Sequence, residues 1–205
     1  MDLSDFGRRV AAVIKNMIVM DGWRAESLSP ELCALFDAIE TGDLSTIRAA
    51  LEGCDVNARL GKFGETALYH AVTDMEGMSL DVVHLLLDEG ADPNKGLTDN
   101  NVLNGLGFGR THHLAPEDLA RFVMRCVDLG AALEERTSKL GWTPLITAVS
   151  EWEPVATEAL LMAGADIHAR AGDTGHGCFS GASVWDFAQG DDDTLAVLQT
   201  YLNRQ

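Results

Sequence analysis

Hydrophobic residues recur along the chain in short runs that have the spacing of one helix face, and each run ends near a glycine. Side chains three or four positions apart lie together on a helix, so each run predicts a helix with one buried face. A glycine after such a run supplies the left-handed conformation that commonly ends a helix. The pattern occurs four times, with intervals of 34 to 40 residues between the glycines: Leu44/Ile47/Leu51 before Gly53, Val82/Val83/Leu86/Leu87 before Gly90, Phe122/Val123/Cys126/Val127 before Gly130, and Val155/Leu160/Leu161 before Gly164.

A second recurring phrase precedes two of these helices and predicts a helix of its own. It reads GETALYHA at residues 64–71 and GWTPLITA at residues 141–148. The threonine of each phrase can cap a helix N-terminus, and Pro144 takes the first helical position, where its missing N–H removes no hydrogen bond. Aspartates after the glycines of the first pattern suit connecting turns. The two patterns together predict helix pairs separated by turns.

These phrases resemble the ankyrin repeat, a unit of about 33 residues in which a β-turn precedes two antiparallel helices. The resemblance implies an all-α fold, an ankyrin-repeat solenoid of helix-turn-helix units joined by β-turn fingers. It covers residues 31–205, with units expected at about 31–59, 60–95, 96–136, 137–170 and 171–205.

Residues 1–30 precede the repeats and are expected to form an amphipathic helix and a connector that cap the array. Phe6, Val10, Ile14 and Met17 share a helical spacing, and the open end of a solenoid must bury its apolar face. Two other interpretations of this helix stay open, namely partner binding or self-association, and targeting.

The third unit departs most from the family pattern. Asn101 stands where the second phrase has threonine, and Gly105, Gly107 and Gly109 follow, before residues 110–115 lead to Pro116. We predict a shortened or distorted first helix and a long loop in this unit. A smaller insertion, around residues 75–77, is predicted between the helices of the second unit.

The charge of the chain narrows the classes of partner. Its 205 residues include 32 acidic and 15 basic side chains, a net charge of −17. This excess argues against nucleic acid and against an anionic membrane surface as partners, and it favours a basic protein. Four cysteines without a CxxC pair favour reduced thiols and a cytoplasmic location.

The family resemblance implies a partner protein bound at the concave face, the fingers and the inserted loops. The corresponding finger residues are Lys62, Phe63 and Glu65, and Lys139, Leu140 and Trp142; the exposed positions expected on the helix side are Tyr69, Met75, Met78, Glu151 and Trp152. Aromatic side chains dominate interface hot spots, which favours Phe63, Trp142 and Trp152. The alternative for these three is packing against neighbouring turns.

Chemistry other than protein binding has little support. His112, His113, His168, His176 and Cys178 resemble part of a zinc ligand set, but His168 takes the place of the turn asparagine and no fourth ligand is evident. We therefore expect no metal, no cofactor and no catalytic residue. Three interpretations of function result: an acidic inhibitor of immunity or antitoxin type that blocks a basic toxin or nucleic-acid-handling protein; a general scaffold whose acidity serves solubility; and a metal-dependent enzyme or sensor built on the His and Cys residues.

Overall fold

Pairs of antiparallel helices repeat along the chain. A computed structural model describes residues 29–61, 64–97, 100–173 and 179–204; the predicted N-terminal helix lies outside them. The described elements are α1 (Pro30–Thr41), α2 (Leu44–Leu51), β1 (Arg59–Leu60), β2 (Glu65–Thr66), α3 (Ala67–Val72), α4 (Leu80–Asp88), a 3₁₀ helix (Val102–Gly105), α5 (Pro116–Asp128), α6 (Pro144–Ser150), α7 (Pro154–Met162), α8 (Val184–Phe187) and α9 (Asp192–Leu202).

The helix pairs stack into two rows. The first helices of successive units, α1, α3, the 3₁₀ helix, α6 and α8, pack against one another in that order. The second helices, α2, α4, α5, α7 and α9, form the other row. The buried apolar residues form one continuous core along these rows, because each unit covers the apolar face of its neighbour. The predicted all-α repeat solenoid is confirmed.

Polar side chains begin the helices as the recurring phrases predict. The Thr66 hydroxyl accepts a hydrogen bond from the Tyr69 amide at 3.4 Å, and the Thr143 hydroxyl accepts one from the Ile146 amide at 3.3 Å. These bonds satisfy backbone N–H groups that have no partner within the helix. Thr66 also donates to the carbonyl oxygen of Lys95 at 2.6 Å, so the same hydroxyl joins two units.

The repeated turn is held by its aspartate. A carboxylate oxygen of Asp166 accepts a hydrogen bond from the His168 amide at 2.8 Å, as Asp55 and Asp92 do from the amides two residues on. Asn57 reaches the next unit, where it donates to the Gly90 carbonyl oxygen and accepts from the Asp92 amide. The aspartates are therefore turn residues, as their spacing suggests.

Arginine side chains stabilise the fingers through hydrogen bonds to backbone carbonyl oxygens. Strands β1 and β2 form an antiparallel hairpin, with Arg59 paired to Thr66 and Leu60 to Glu65. The Arg59 guanidinium donates to the Gly64 carbonyl oxygen at 2.6 Å, and the Arg136 guanidinium donates to that of Gly141 at 2.7 Å. In the last unit, the Arg170 guanidinium donates to the carbonyl oxygen of Gly181 at 2.8 Å. These cations stabilise the turns from within.

The third unit has the shortened first helix that its sequence predicts. Asn101 takes the capping place, and its side-chain oxygen accepts hydrogen bonds from the Leu103 and Asn104 amides. A four-residue 3₁₀ helix replaces an α-helix. The glycines after it let the backbone approach its neighbours: Gly107 lies against the Thr147 backbone, and Gly109 against the Val72 carbonyl group.

The contact at Gly109 predicts a large loss of stability for Gly109→Ala. A Cβ atom there would overlap the Val72 carbonyl oxygen, which is backbone and cannot turn away. We expect a loss of about 3 kcal/mol or more in the free energy of unfolding, at or above the upper end for overpacking. Urea denaturation measures it.

Gly53→Ala is the matched control for this substitution. Among the described residues no heavy atom lies within 4 Å of the position that a Cβ at Gly53 would take, so the added methyl group should be neutral or stabilise by up to about 1 kcal/mol. Equal unfolding midpoints for the two variants would contradict the packing described for the third unit.

Candidate protein-binding surfaces

The first helices of the middle units expose little. Every side chain of Val102–Gly105 is buried, as are residues 144–149 of α6, and in α3 only His70 is partly exposed. Their neighbours in the row cover them on both sides. The side chains that a partner can reach in these units therefore lie mainly at two edges: the finger edge, made by the turns before the first helices, and the loop edge at the opposite end. The loop edge consists of residues 40–43, 73–79, 106–115, 150–153 and 188–191.

Two residues expected to be exposed are buried. Tyr69 is 4% exposed and Met78 is fully buried, so the exposure predicted for them is wrong. The Tyr69 ring lies against Gly105 of the next unit, and burial raises the pKa of Tyr69 to about 12. The Met78 amide donates to the Arg110 carbonyl oxygen at 3.2 Å, which draws Met78 under the loop of the third unit.

The finger candidates divide between packing and exposure. Trp142 is only 9% exposed; its ring centroid lies 4.9 Å from that of Phe187 and 5.6 Å from that of Phe179. The alternative of packing against a neighbouring turn therefore describes Trp142. Lys139 is exposed and Leu140 half-buried. Lys62 and Phe63 lie outside the described residues.

Glu65 belongs to a group of charges around His70. A carboxylate oxygen of Glu65 lies 3.3 Å from Nδ1 of His70, and one of Glu40 lies 4.0 Å from Nε2. Burial opposes protonation of the ring, but the hydrogen bond and charge of Glu65, with the charges of Glu40 and Asp74, raise the pKa of His70. The surroundings of His70 thus favour a cation.

Three large apolar side chains protrude from consecutive loops of the loop edge. Met75 is 42% exposed, Phe108 46% and Trp152 53%. The loops that hold them are bonded together, because Met78 donates to Arg110 and the Thr111 hydroxyl donates to a Glu153 carboxylate oxygen at 2.8 Å. Phe108 was not predicted from the sequence as a binding residue, and its position between Gly107 and Gly109 was the available signal.

Trp152 adopts a backbone conformation that is unusual for its type. Its φ is 60°, and its amide donates to the Val149 carbonyl oxygen, as that of Glu153 does to Ala148. These bonds form the helix ending in which glycine is usual, and glycine holds the left-handed position in the turns at Gly42 and Gly190. A side chain there costs about 1–2 kcal/mol, and strain of this kind is concentrated at functional sites.

The two residues that flank Trp152 in the chain are glutamates. Burial raises the pKa of Glu151, and so does the charge of Glu153; burial likewise raises the pKa of Glu153, against the hydrogen bonds from Thr111. Glu151 itself remains accessible at the surface. The loop edge therefore combines apolar side chains with carboxylates that lack full solvation.

The histidines do not converge on a metal site in the described part of the chain. Nε2 of His113 lies 3.0 Å from the carbonyl oxygen of Met78, and the ring centroids of His112 and His113 are 6.0 Å apart. Among the described residues no group of three His, Cys, Asp or Glu could hold a metal ion. His176 and Cys178 lie outside them. The described helices are also too short or too polar to cross a membrane.

Comparison with known proteins agrees with the architecture. The family model described as ankyrin repeats (3 copies) matches residues 11–96, and no curated protein matches the chain. The same stacking of helix pairs continues beyond the matched residues to α9. The family match and the continued stacking support an ankyrin-repeat protein, and ankyrin repeats are generally protein–protein interaction modules, typically without catalytic activity.

The bond between Thr111 and Glu153 predicts a stability effect for Thr111→Val. Thr111 is fully buried, and valine would leave the partly desolvated carboxylate without its hydroxyl donor. We expect a loss of about 1–3 kcal/mol in the free energy of unfolding. Thr157→Val is the control, since Thr157 is equally buried but its hydroxyl has no partner among the described residues; a similar loss in both variants would contradict a specific role for the bond.

The positive φ of Trp152 predicts that glycine is more stabilising than alanine at this position, the reverse of their usual order. Trp152→Gly and Trp152→Ala remove the same ring, but only glycine adopts a positive φ without strain. We expect Trp152→Gly to unfold with a free energy about 1 kcal/mol higher than Trp152→Ala. Gly53, at an ordinary φ, provides the reference at which alanine should be at least as stable as glycine. The idea fails if alanine is also the more stable residue at position 152.

Proposed function

We propose that this protein binds, without catalysis, a partner protein that has a basic surface. The observation that carries the proposal is the net charge of −17 on an ankyrin array whose exposed aromatic residue Trp152 is flanked in the chain by two glutamates. Complementary charge raises the rate of association and selects the partner, while apolar contacts slow dissociation. The candidates for the contact are Met75, Lys139, Glu151 and Trp152, which are exposed, and Glu65 and Leu140, which are half-buried. Lys62 and Phe63, also candidates from the sequence, lie outside the described residues.

The rigid scaffold supports an inhibitory mechanism. Turns, fingers and loops are bonded before any partner arrives, as the Asn57 and Thr111 contacts illustrate. Binding then freezes few additional groups, so a modest number of contacts gives a stable complex. We propose that the array acts by covering the partner's basic surface.

A basic surface that must be covered is typical of proteins that handle nucleic acid. The sharper form of the proposal is therefore an inhibitor of immunity or antitoxin type, which acts in the cytoplasm on a basic toxin. A scaffold whose acidity serves only solubility would bind its partner with little dependence on salt, and this difference separates the two functions.

The charge argument predicts a salt-dependent association rate. The partner is captured from cell extract on the immobilised protein, identified by mass spectrometry and purified. We expect its association rate constant to fall by about tenfold or more between about 50 mM and about 500 mM salt, because ions screen charges over a Debye length. Stopped-flow tryptophan fluorescence follows the reaction.

The dissociation rate constant provides the internal control, since apolar contacts set it and salt should change it much less. An association rate constant that is the same at both salt concentrations would contradict a basic partner and favour the scaffold function. Addition of a chelator should change neither rate constant.

A further inference from the structure

The two edges of the array differ in charge. The loop edge, every residue of which the structure describes, contains one lysine or arginine, Arg110. The imidazoles of His112 and His113 lie beside it. Its carboxylates come from four of the five units: Glu40, Asp43, Asp74, Glu76, Glu151, Glu153 and Asp191. A basic partner is therefore attracted to this edge.

The finger edge has more cations than the loop edge. Arg59, Lys95, Arg136, Lys139 and Arg170 lie there, together with the carboxylates of Asp55, Glu65, Asp92, Glu134, Glu135, Asp166 and Asp173. Three of their guanidinium groups donate to finger carbonyl oxygens at 2.6 to 2.8 Å, so these cations are fixed in place. A basic surface that approached the fingers would meet these fixed cations as well as carboxylates, so the fingers attract it less than the loop edge does.

A shallow cleft adds shape to the loop edge. It lies between the turn after α1 and the loop after α3, and its walls include Glu40, Asp74, Ile39 and Val82. Met75, exposed, follows Asp74 directly. The cleft thus places two carboxylates, whose charges also act on His70, beside apolar side chains and next to the first of the three protruding apolar residues.

We propose that the loop edge, and not the concave face or the fingers, is the docking surface for a segment of the partner protein in which lysine or arginine alternates with apolar side chains. The apolar side chains contact Met75, Phe108 and Trp152, and one cation enters the cleft between Glu40 and Asp74. This inference rests on the proposed binding function and specifies its site and the chemistry of its partner.

The strained turn at Trp152 favours this site. A glycine would remove the strain at a φ of 60°. The position instead holds Trp152, the most exposed large hydrophobic side chain among the described residues. The Thr111–Glu153 bond fixes the neighbouring loop beside it. Aromatic anchors held on an ordered backbone are the usual centres of binding energy.

The probe for the test is a random 12-residue peptide library displayed on phage and selected on the full chain. We expect the selected peptides to be enriched in Lys and Arg together with Trp, Phe or Leu. Their dissociation constants, measured with synthetic peptides by calorimetry, should rise at least about tenfold for Phe108→Ala and for Trp152→Ala. The double variant Glu40→Gln/Asp74→Asn should weaken binding about fivefold or more at low salt.

The matched controls lie on α5, away from both edges. Met124→Ala removes an equally exposed apolar side chain, and Asp128→Asn removes an exposed carboxylate; both should bind the peptides as the unaltered protein does. Circular dichroism at the assay temperature verifies that every variant is folded.

Three outcomes would overturn the inference. Peptides whose binding is lost in Leu140→Ala but retained in the loop-edge variants would move the site to the fingers and leave the binding function intact. Selected peptides without an excess of Lys and Arg would contradict the chemistry proposed for the partner. Selection of no peptide at all would contradict both the site and the binding function.

Discussion

Burial of each short first helix between its two neighbours is the constraint on which the rest of the structure depends. Helices of six residues, such as α3, are not stable alone, so their stability must come from packing. Small side chains make the approach possible: Ala67, Ala71 and Ala148 are almost completely buried, and Gly105 lies against the Tyr69 ring. Because stacking buries the surfaces of these helices, a partner can reach mainly the edges of the array.

The edges are ordered by polar contacts that join adjacent units. Asn57 links two turns, Thr66 links a cap to the next turn, and Thr111 links the third unit to Glu153. Each bond provides a partner for a backbone or buried polar group that would destabilise the fold if it were left without one. Contacts between adjacent units, and not long helices, order the loops. This is expected of an array in which each unit contacts only its neighbours.

Local features of the fold could be predicted from the sequence, whereas exposure could not. The threonine caps, the aspartate turns and the short helix after Asn101 follow from the residues themselves, because each depends on a few neighbouring positions. The burial of Met78 and Tyr69 depends on the insertion in the following unit, which no family position represents. Trp142 packs on Phe187 of another unit, and this contact is equally invisible to local pattern. The exposure of Phe108 was not predicted because it depends on how the loop of the third unit packs.

The loop edge contains electrostatic energy that a partner could release. Glu151 and Glu153 repel each other, and burial raises the pKa of both carboxyl groups, which means that the folded state disfavours their charged forms relative to the unfolded chain. A cation bound beside them would offset that penalty, so binding and stability are linked. The strain at Trp152 likewise lowers the stability of the free protein, and it has a functional use only if the exposed ring contacts a partner. A surface optimised for the stability of the free chain would have neither feature, and their coincidence on one edge is the physical reason to look for the partner there.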